Sequence, residues 1–140
     1  MTPSCELCAP LPGVIWQNDQ FSVILVDDAN YPGFCRVVWR GHVQEMSDLT
    51  PAARLALMNT VNQVELAQRA VLDPDKINLA SLGNVVPHLH WHVIPRYRDD
   101  AHFPGPIWAA AVRVTDPATL IARRALLPAL SAAIVQRLTT

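Results

Sequence analysis

The sequence predicts an α+β fold: a five-stranded antiparallel sheet with one long helix on one face and a helical segment at the C-terminus. Three observations carry that reading. β-rich runs lie between Val14 and Arg40, a single long amphipathic stretch follows, and two further β-rich runs come after it. Strands, then one helix, then strands again is the order of a segregated α+β domain and not of alternating βαβ units.

The elements follow in order. Val14 to Gln17 and Phe21 to Val26 are rich in β-branched and aromatic residues, and Asn18-Asp19 between them reads as a hairpin turn. Asp27 to Gly33 is a loop ending in Pro32-Gly33, and Cys35 to Arg40 (CRVVWR) reads as a third strand. Thr50 suits a helix N-cap and Pro51 the first helical position. Leu57, Val61, Val64, Ala67 and Val71 then recur at helical spacing and form one apolar stripe. Asp73-Pro74 stops that helix, because the residue before a proline is pushed out of the helical region. Lys76 to Leu82 predicts a fourth strand, Gly83-Asn84 a turn, and His88 to Ile94 a fifth strand. Asp116-Pro117 marks another helix start, and Pro128 breaks or kinks that second helix.

The 140 residues fit one domain, 1–140, with 1–10 as an N-terminal segment and 97–140 as a C-terminal extension. At 51% hydrophobic, the chain can bury a core. A formal net charge of −1 gives no footing for nucleic acid or an acidic membrane surface as main partner. With no apolar run approaching membrane-spanning length and no signal peptide in MTPSCELCAP, a cytoplasmic protein with no membrane partner is expected. No internal repeat or low-complexity segment interrupts the chain, and its 12 prolines punctuate elements without forming a linker. Cysteines number three, two of them in Cys5-Glu-Leu-Cys8. In a reducing compartment that spacing suggests metal or redox chemistry, the pair alone being half of a zinc site, and not a disulfide framework.

The chemistry concentrates in PHLHWHVIPR, Pro87 to Arg96, which holds three of the five histidines. On a strand, residues i, i+2 and i+4 share a face, so His88, His90 and His92 point one way and Leu89, Trp91 and Val93 the other. Three readings are open: a solvated polar face, a set of catalytic metal ligands, or a nucleophilic site in which one imidazole attacks while its neighbours handle charge and protons.

His88-Leu89-His90-Trp91-His92-Val93-Ile94 resembles the motif of the histidine triad (HIT) family, in which histidines alternate with apolar residues. Gly83 and Asn84 stand where that family has Gly-Gln, and LVDDANYPGF is similar to its ribose-side loop. The resemblance covers about Cys5 to Arg96. It implies a homodimer that joins two sheets, and nucleotidyl transfer or hydrolysis at the α-phosphorus of a nucleoside phosphate derivative, with no organic cofactor. It makes His90 the nucleophile that forms a nucleotidyl intermediate, His92 the group that stabilises phosphate charge, and Asn84 a phosphate or leaving-group contact. Val85 and Val86 are left with their backbone N–H groups, and Asp27, ahead of Asp28, with the ribose. Three departures stand out: Asn84 is one methylene shorter than Gln, Val85 lacks the hydroxyl often found there, and Phe34 replaces a histidine. Ile15, Phe21 and Leu25 are read as core in preference to walls of a base pocket.

Related bacterial HIT proteins complete the N-terminal cysteine pair with two histidines, which the resemblance places here at His42 and His88. Cys5, Cys8, His42 and His88 then form a closed structural zinc set, and His88 becomes an anchor. Two free thiols are the plain alternative. Cys35 reads as a small buried hydrophobe and His102 as surface or structural. Against the hydrolase stand a nucleotide-binding regulatory module with little turnover and a metalloenzyme that uses the triad as ligands. An intact His90 and His92 favour the hydrolase, because binding alone needs no nucleophile.

Overall fold

The computed structural model describes residues 5–139; Met1 to Ser4, part of the stretch read for a signal peptide, lie outside it, as does Thr140. Five strands form one sheet: β1 (Val14–Gln17), β2 (Phe21–Leu25), β3 (Cys35–Trp39), β4 (Lys76–Ala80) and β5 (His90–Arg96). Their order is β1-β2-β3-β5-β4, and every pairing is antiparallel. The helices are α1 (Pro51–Leu72), α2 (Pro117–Arg124) and α3 (Leu127–Thr139).

Local chemistry explains the boundaries. Asn18 Oδ1 accepts from the amides of Gln20 and Phe21, closing the first hairpin. Thr50 Oγ1 accepts from Ala53 N at 3.1 Å and starts α1; Asp116 caps α2 through Ala118 N in the same way. At its far end α1 stops on Asp73, which takes a left-handed conformation with φ 49°. Leu57, Val61, Val64 and Ala67 are buried against the sheet, together with Leu130 and Ile134 of α3. Burying each Leu, Ile or Val side chain contributes roughly 1.5–3 kcal/mol. Both α1 and α3 therefore lie on one face of the sheet, the face lined by Val23, Cys35, Val37 and Val93.

Several expectations change. The fifth strand begins at His90 and not at His88, because the carbonyl and amide of Leu89 are already committed to Trp39 and Val43 outside regular pairing. The third strand ends at Trp39 and the fourth at Ala80, each shorter than expected. The view that no apolar run reaches membrane-spanning length also fails. Pro117–Thr139 is long and apolar enough to cross a membrane by length and composition, although a turn divides it and Leu130 and Ile134 are packed in the core. Phe21 belongs to the core, with Ile15 and Leu25 packed against it.

Strand register decides what the opposite, helix-free face carries. Cys35 pairs with Val93 and Val37 with Trp91; the alternate pairs are Arg36 with His92 and Val38 with His90. Two histidines and a guanidinium thus share one face in the middle of the sheet. A smaller apolar cluster of Tyr31, Phe34 and Ile94 packs beside them, joined by Ile107 from the segment after β5.

Candidate functional site

Two groups of side chains meet at the start of β5. The first is the cysteine–histidine group. Ligand atoms of Cys5, Cys8, His42 and His88 lie within 4.8 Å of one another. Cys5 Sγ is 3.3 Å and Cys8 Sγ 3.5 Å from His88 Nδ1, Cys8 Sγ is 3.4 Å from His42 Nδ1, and the two Nδ1 atoms are 3.2 Å apart. A tetrahedron with zinc–nitrogen and zinc–sulfur bonds of ordinary length has edges of about 3.3–3.8 Å, so this spacing fits a closed zinc set. The tautomer of His88 fits as well. Its Nε2 lies 2.5 Å from the carbonyl oxygen of Trp39, which can only accept, so Nε2 carries the proton and Nδ1 keeps its lone pair for a metal.

The second group is His90, His92 and their neighbours. His90 Nδ1 lies 2.6 Å from the carbonyl oxygen of His88. That oxygen accepts, so Nδ1 is protonated and Nε2 holds the free lone pair. Burial lowers the pKa of His90; the hydrogen bond to His88 opposes this, and the charge of Arg36 and proximity of His88 add to it. The ring is therefore neutral at neutral pH. Ser81 Oγ donates to the His90 carbonyl at 2.8 Å and ties the strand to the end of β4.

His92 meets His90 edge to face, with ring centroids 4.8 Å apart. Its pKa falls to about 4, through burial first and then through His90 and Arg36. Phe34 packs on one side at 5.7 Å and Trp108 stands edge-on at 5.1 Å. Phe34 is 2% exposed, so it fills the position of the missing histidine as an apolar wall.

Trp108 reaches His92 from a long segment after β5 that is anchored by a buried ion pair. Arg96 Nε is 2.8 Å from Asp100 Oδ2, and both side chains are almost fully buried. Asp100 also accepts from the amides of Tyr97, His102 and Phe103. Burial alone raises the pKa of this carboxyl, but Arg96 and the three amides outweigh it and hold it well below the usual carboxylate range. Tyr31 O–H donates to Asp100, and His102 Nδ1 lies 2.6 Å from the same hydroxyl. His102 is thus part of this buried network, and Cys35 is buried with its thiol pushed up to about 12 by desolvation.

The other expected contacts are less engaged. Asn84 and Val85 are exposed, Val86 is half-buried, and Asp27 is exposed while Asp28 is half-buried. Among the described residues no hydrogen bond joins Asn84 or Asp27 to the histidines. Arg36, Trp108 and the Trp39 carbonyl were not expected at the site. For Arg36 a signal exists: a lone cation between Cys35 and Val37 in an otherwise apolar strand has to face away from the core.

Fold and site define an α+β protein that displays a histidine pair and an adjacent Cys2His2 group on and beside the helix-free face of its sheet. Residues 12–99 match the family model for the HIT domain, and the chain belongs to that family. A histidine triad protein from Bradyrhizobium japonicum has a similar crystal structure, with a TM-score of 0.70 and 30% identity over 89% of this chain and 88% of that one. The asymmetrical bis(5'-nucleosyl)-tetraphosphatase of Schizosaccharomyces pombe is 31% identical over 74 residues, 49% of this chain and 41% of that protein. A Zn-bound histidine triad family protein from Mycobacterium smegmatis shares the fold, with a TM-score of 0.58 and 23% identity over 93% of this chain and 97% of that one.

Proposed function

We propose that this chain is a nucleotide hydrolase that works at the α-phosphorus of a nucleoside phosphate derivative, with His90 as nucleophile. One observation carries the reading: the His88 carbonyl holds the proton of His90 on Nδ1 and leaves Nε2 as a bare lone pair beside His92. Nε2 forms a bond to phosphorus while the bond to the leaving group breaks and its electron pair departs. Water then attacks the same phosphorus, the N–P bond breaks, and the nucleoside monophosphate leaves. Neutral imidazole is a competent nucleophile at neutral pH, and its phosphoramidate is reactive enough to turn over. His92 Nε2–H is the hydrogen-bond donor for charge building on the phosphate oxygens. The tetraphosphatase activity named for the S. pombe relative supports this class of substrate.

Substituting His90 tests the reading. His90→Ala should abolish nearly all turnover of a dinucleoside polyphosphate or a nucleoside phosphoramidate while leaving the fold intact. Mass spectrometry of a rapidly quenched reaction should place the nucleotidyl adduct on His90; wild-type activity in His90→Ala, or an adduct elsewhere, rejects it.

The same proposal includes a structural zinc at Cys5, Cys8, His42 and His88, which the donor set, its spacing and the Zn-bound M. smegmatis relative support. Bound there, zinc would tie the N-terminal segment to the loop before β5, and its chemistry would be structural because all four donors come from protein. It also includes a homodimer, supported by exposed Leu55 on α1 and Leu79 on the edge strand β4. Sedimentation at micromolar protein should give twice the chain mass; a monomer rejects that part.

A further inference from the structure

The centre of β3 carries a guanidinium that nothing in the fold uses up. Arg36 pairs with His92 across β3 and β5, so its side chain rises on the helix-free face between the flanking core residues Cys35 and Val37. It is half-buried and stands 5.5 Å from the centre of the Phe34 ring. Its Nε donates to His92 Nδ1 at 3.3 Å. Among the described residues its two terminal nitrogens make no hydrogen bond, and Arg36 forms no ion pair. Asp28 and Glu6 add favourable charge only from beyond ion-pair distance. Arginine keeps its proton under these conditions, and unspent N–H groups in a half-desolvated place are costly unless a ligand takes them.

Geometry says which ligand. The Arg36 bond makes Nδ1 of His92 an acceptor, so Nε2 of His92 carries the proton. The face then offers the bare Nε2 of His90, the N–H of His92 and a planar fork of free N–H donors, within one cluster of touching rings. A guanidinium fork matches two oxygens of one phosphate.

We propose that Arg36 is the permanent cation of this site: it grips phosphate oxygens next to the bond broken at His90 and favours substrates whose departing group itself carries a phosphate. This rests on His90 being the nucleophile. When the N–P bond forms and a P–O bond breaks, the electron pair leaves on a phosphate oxygen, and a fixed cation stabilises that anion with no proton transfer. An alkylamine leaving group instead has to gain a proton as it departs, which a guanidinium does not supply at neutral pH.

The test compares wild type, Arg36→Met and Arg36→Lys on diadenosine tetraphosphate and on an adenosine 5'-phosphoramidate of a primary amine, with calorimetric binding of inorganic tripolyphosphate alongside. Arg36→Met should lose about 10²–10³-fold in kcat/KM on the tetraphosphate, the range for one preorganised charge-stabilising group, and about tenfold or less on the phosphoramidate. Tripolyphosphate binding should weaken by about tenfold or more, and lysine should restore binding better than kcat because it is a point charge without the fork. Tetraphosphate turnover near wild type in Arg36→Met, or equal losses on both substrates, overturns the proposal. If wild type turns over neither substrate, the reading of His90 fails separately. Arg36 is then judged on tripolyphosphate alone, with unchanged affinity in Arg36→Met counting against it. Circular dichroism checks folding, and Arg36→Gln takes the place of a methionine variant that does not fold.

Discussion

His88 donates a hydrogen bond from Nε2–H to the carbonyl oxygen of Trp39, and that bond turns the free nitrogen of the first triad histidine toward Cys5 and Cys8. Its backbone carbonyl does a second job by holding Nδ1 of His90. One residue therefore joins the cysteine group to the proposed nucleophile through a side chain on one side and a peptide oxygen on the other. A change in the cysteine group should reach His90 as a change in position and not as a change in chemistry.

Zinc content is the direct consequence. Purified protein made with zinc available should hold about one ion per chain, the stoichiometry of a closed Cys2His2 set. Cys5→Ser and His42→Ala should each lower that content and the melting temperature, since metal affinity of a structural site is folding free energy. Elemental analysis paired with thermal melts with and without a chelator reads both quantities. Metal-free protein that melts where the loaded protein does rules the site out.

Arg96 and Asp100 predict a large stability effect away from the histidines. Arg96→Met strands a buried carboxylate that accepts from three backbone amides, and breaking a buried pair from one side costs about 3–5 kcal/mol. The segment that carries Trp108 loses its anchor at the same time, so tryptophan emission should shift to the red. Urea unfolding with fluorescence detection measures both, and a loss under about 1 kcal/mol contradicts the account of a buried uncompensated charge.

Much of this was legible in the residues themselves. Thr50, Pro51 and the Leu57–Val71 spacing mark α1 because caps and helical period are local, and the same holds for Asp116-Pro117 at α2. The alternation of His90 and His92 also survives, being a property of any strand. His88 departs from that pattern because a non-local bond to Trp39, 49 residues away, overrides the strand. Arg36 is legible only in part: its place between two core residues turns it away from the core, but its partner is set by the β3–β5 register, which no local pattern encodes. The Arg96–Asp100 anchor was invisible because a charged pair in sequence reads as surface until burial is known.

Gln68 tests how α1 is fixed to the sheet. Its side chain is fully buried, and Nε2 donates to the carbonyl oxygens of Gly33 and Val93, each at 2.9 Å. Gly33 has φ 94°, and a Cβ there would collide with Leu72 Cδ1, so this stretch has little room to readjust. Gln68→Leu keeps the volume but leaves two buried carbonyls without that donor. A loss of about 1–3 kcal/mol is expected in chemical denaturation; a neutral or stabilising result shows that losing the unpartnered Oε1 of Gln68, with Cys35 Sγ still donating to the Gly33 carbonyl, offsets the lost bonds.

His92 predicts how stability depends on pH. Its pKa in the folded chain is lowered to about 4 by burial, His90 and Arg36, while an unfolded histidine titrates near 6.5. Above about pH 6.5 the ring is neutral in both states, so this group gives no pH dependence there. As pH falls from about 6.5 toward 4, the unfolded chain takes up the proton and the folded chain does not. Unfolding is then favoured by proton uptake, and stability is lost as the solution becomes more acid; below about 4 both states are charged and the slope from this group ends. Integrated down to pH 5, the loss assigned to His92 reaches at most about 2 kcal/mol. Acid also titrates His90, so total acid sensitivity says little about one residue. The informative quantity is the difference between wild type and His92→Gln, measured by urea unfolding at pH 7 and again at pH 5. Glutamine keeps hydrogen-bonding ability but cannot titrate, so the gap between the two proteins should move in favour of the variant by about 1–2 kcal/mol on going to pH 5. A gap that stays constant, or moves toward wild type, means that His92 is protonated in the folded protein well above pH 4. In that case the cation beside His90 would be an imidazolium in addition to Arg36.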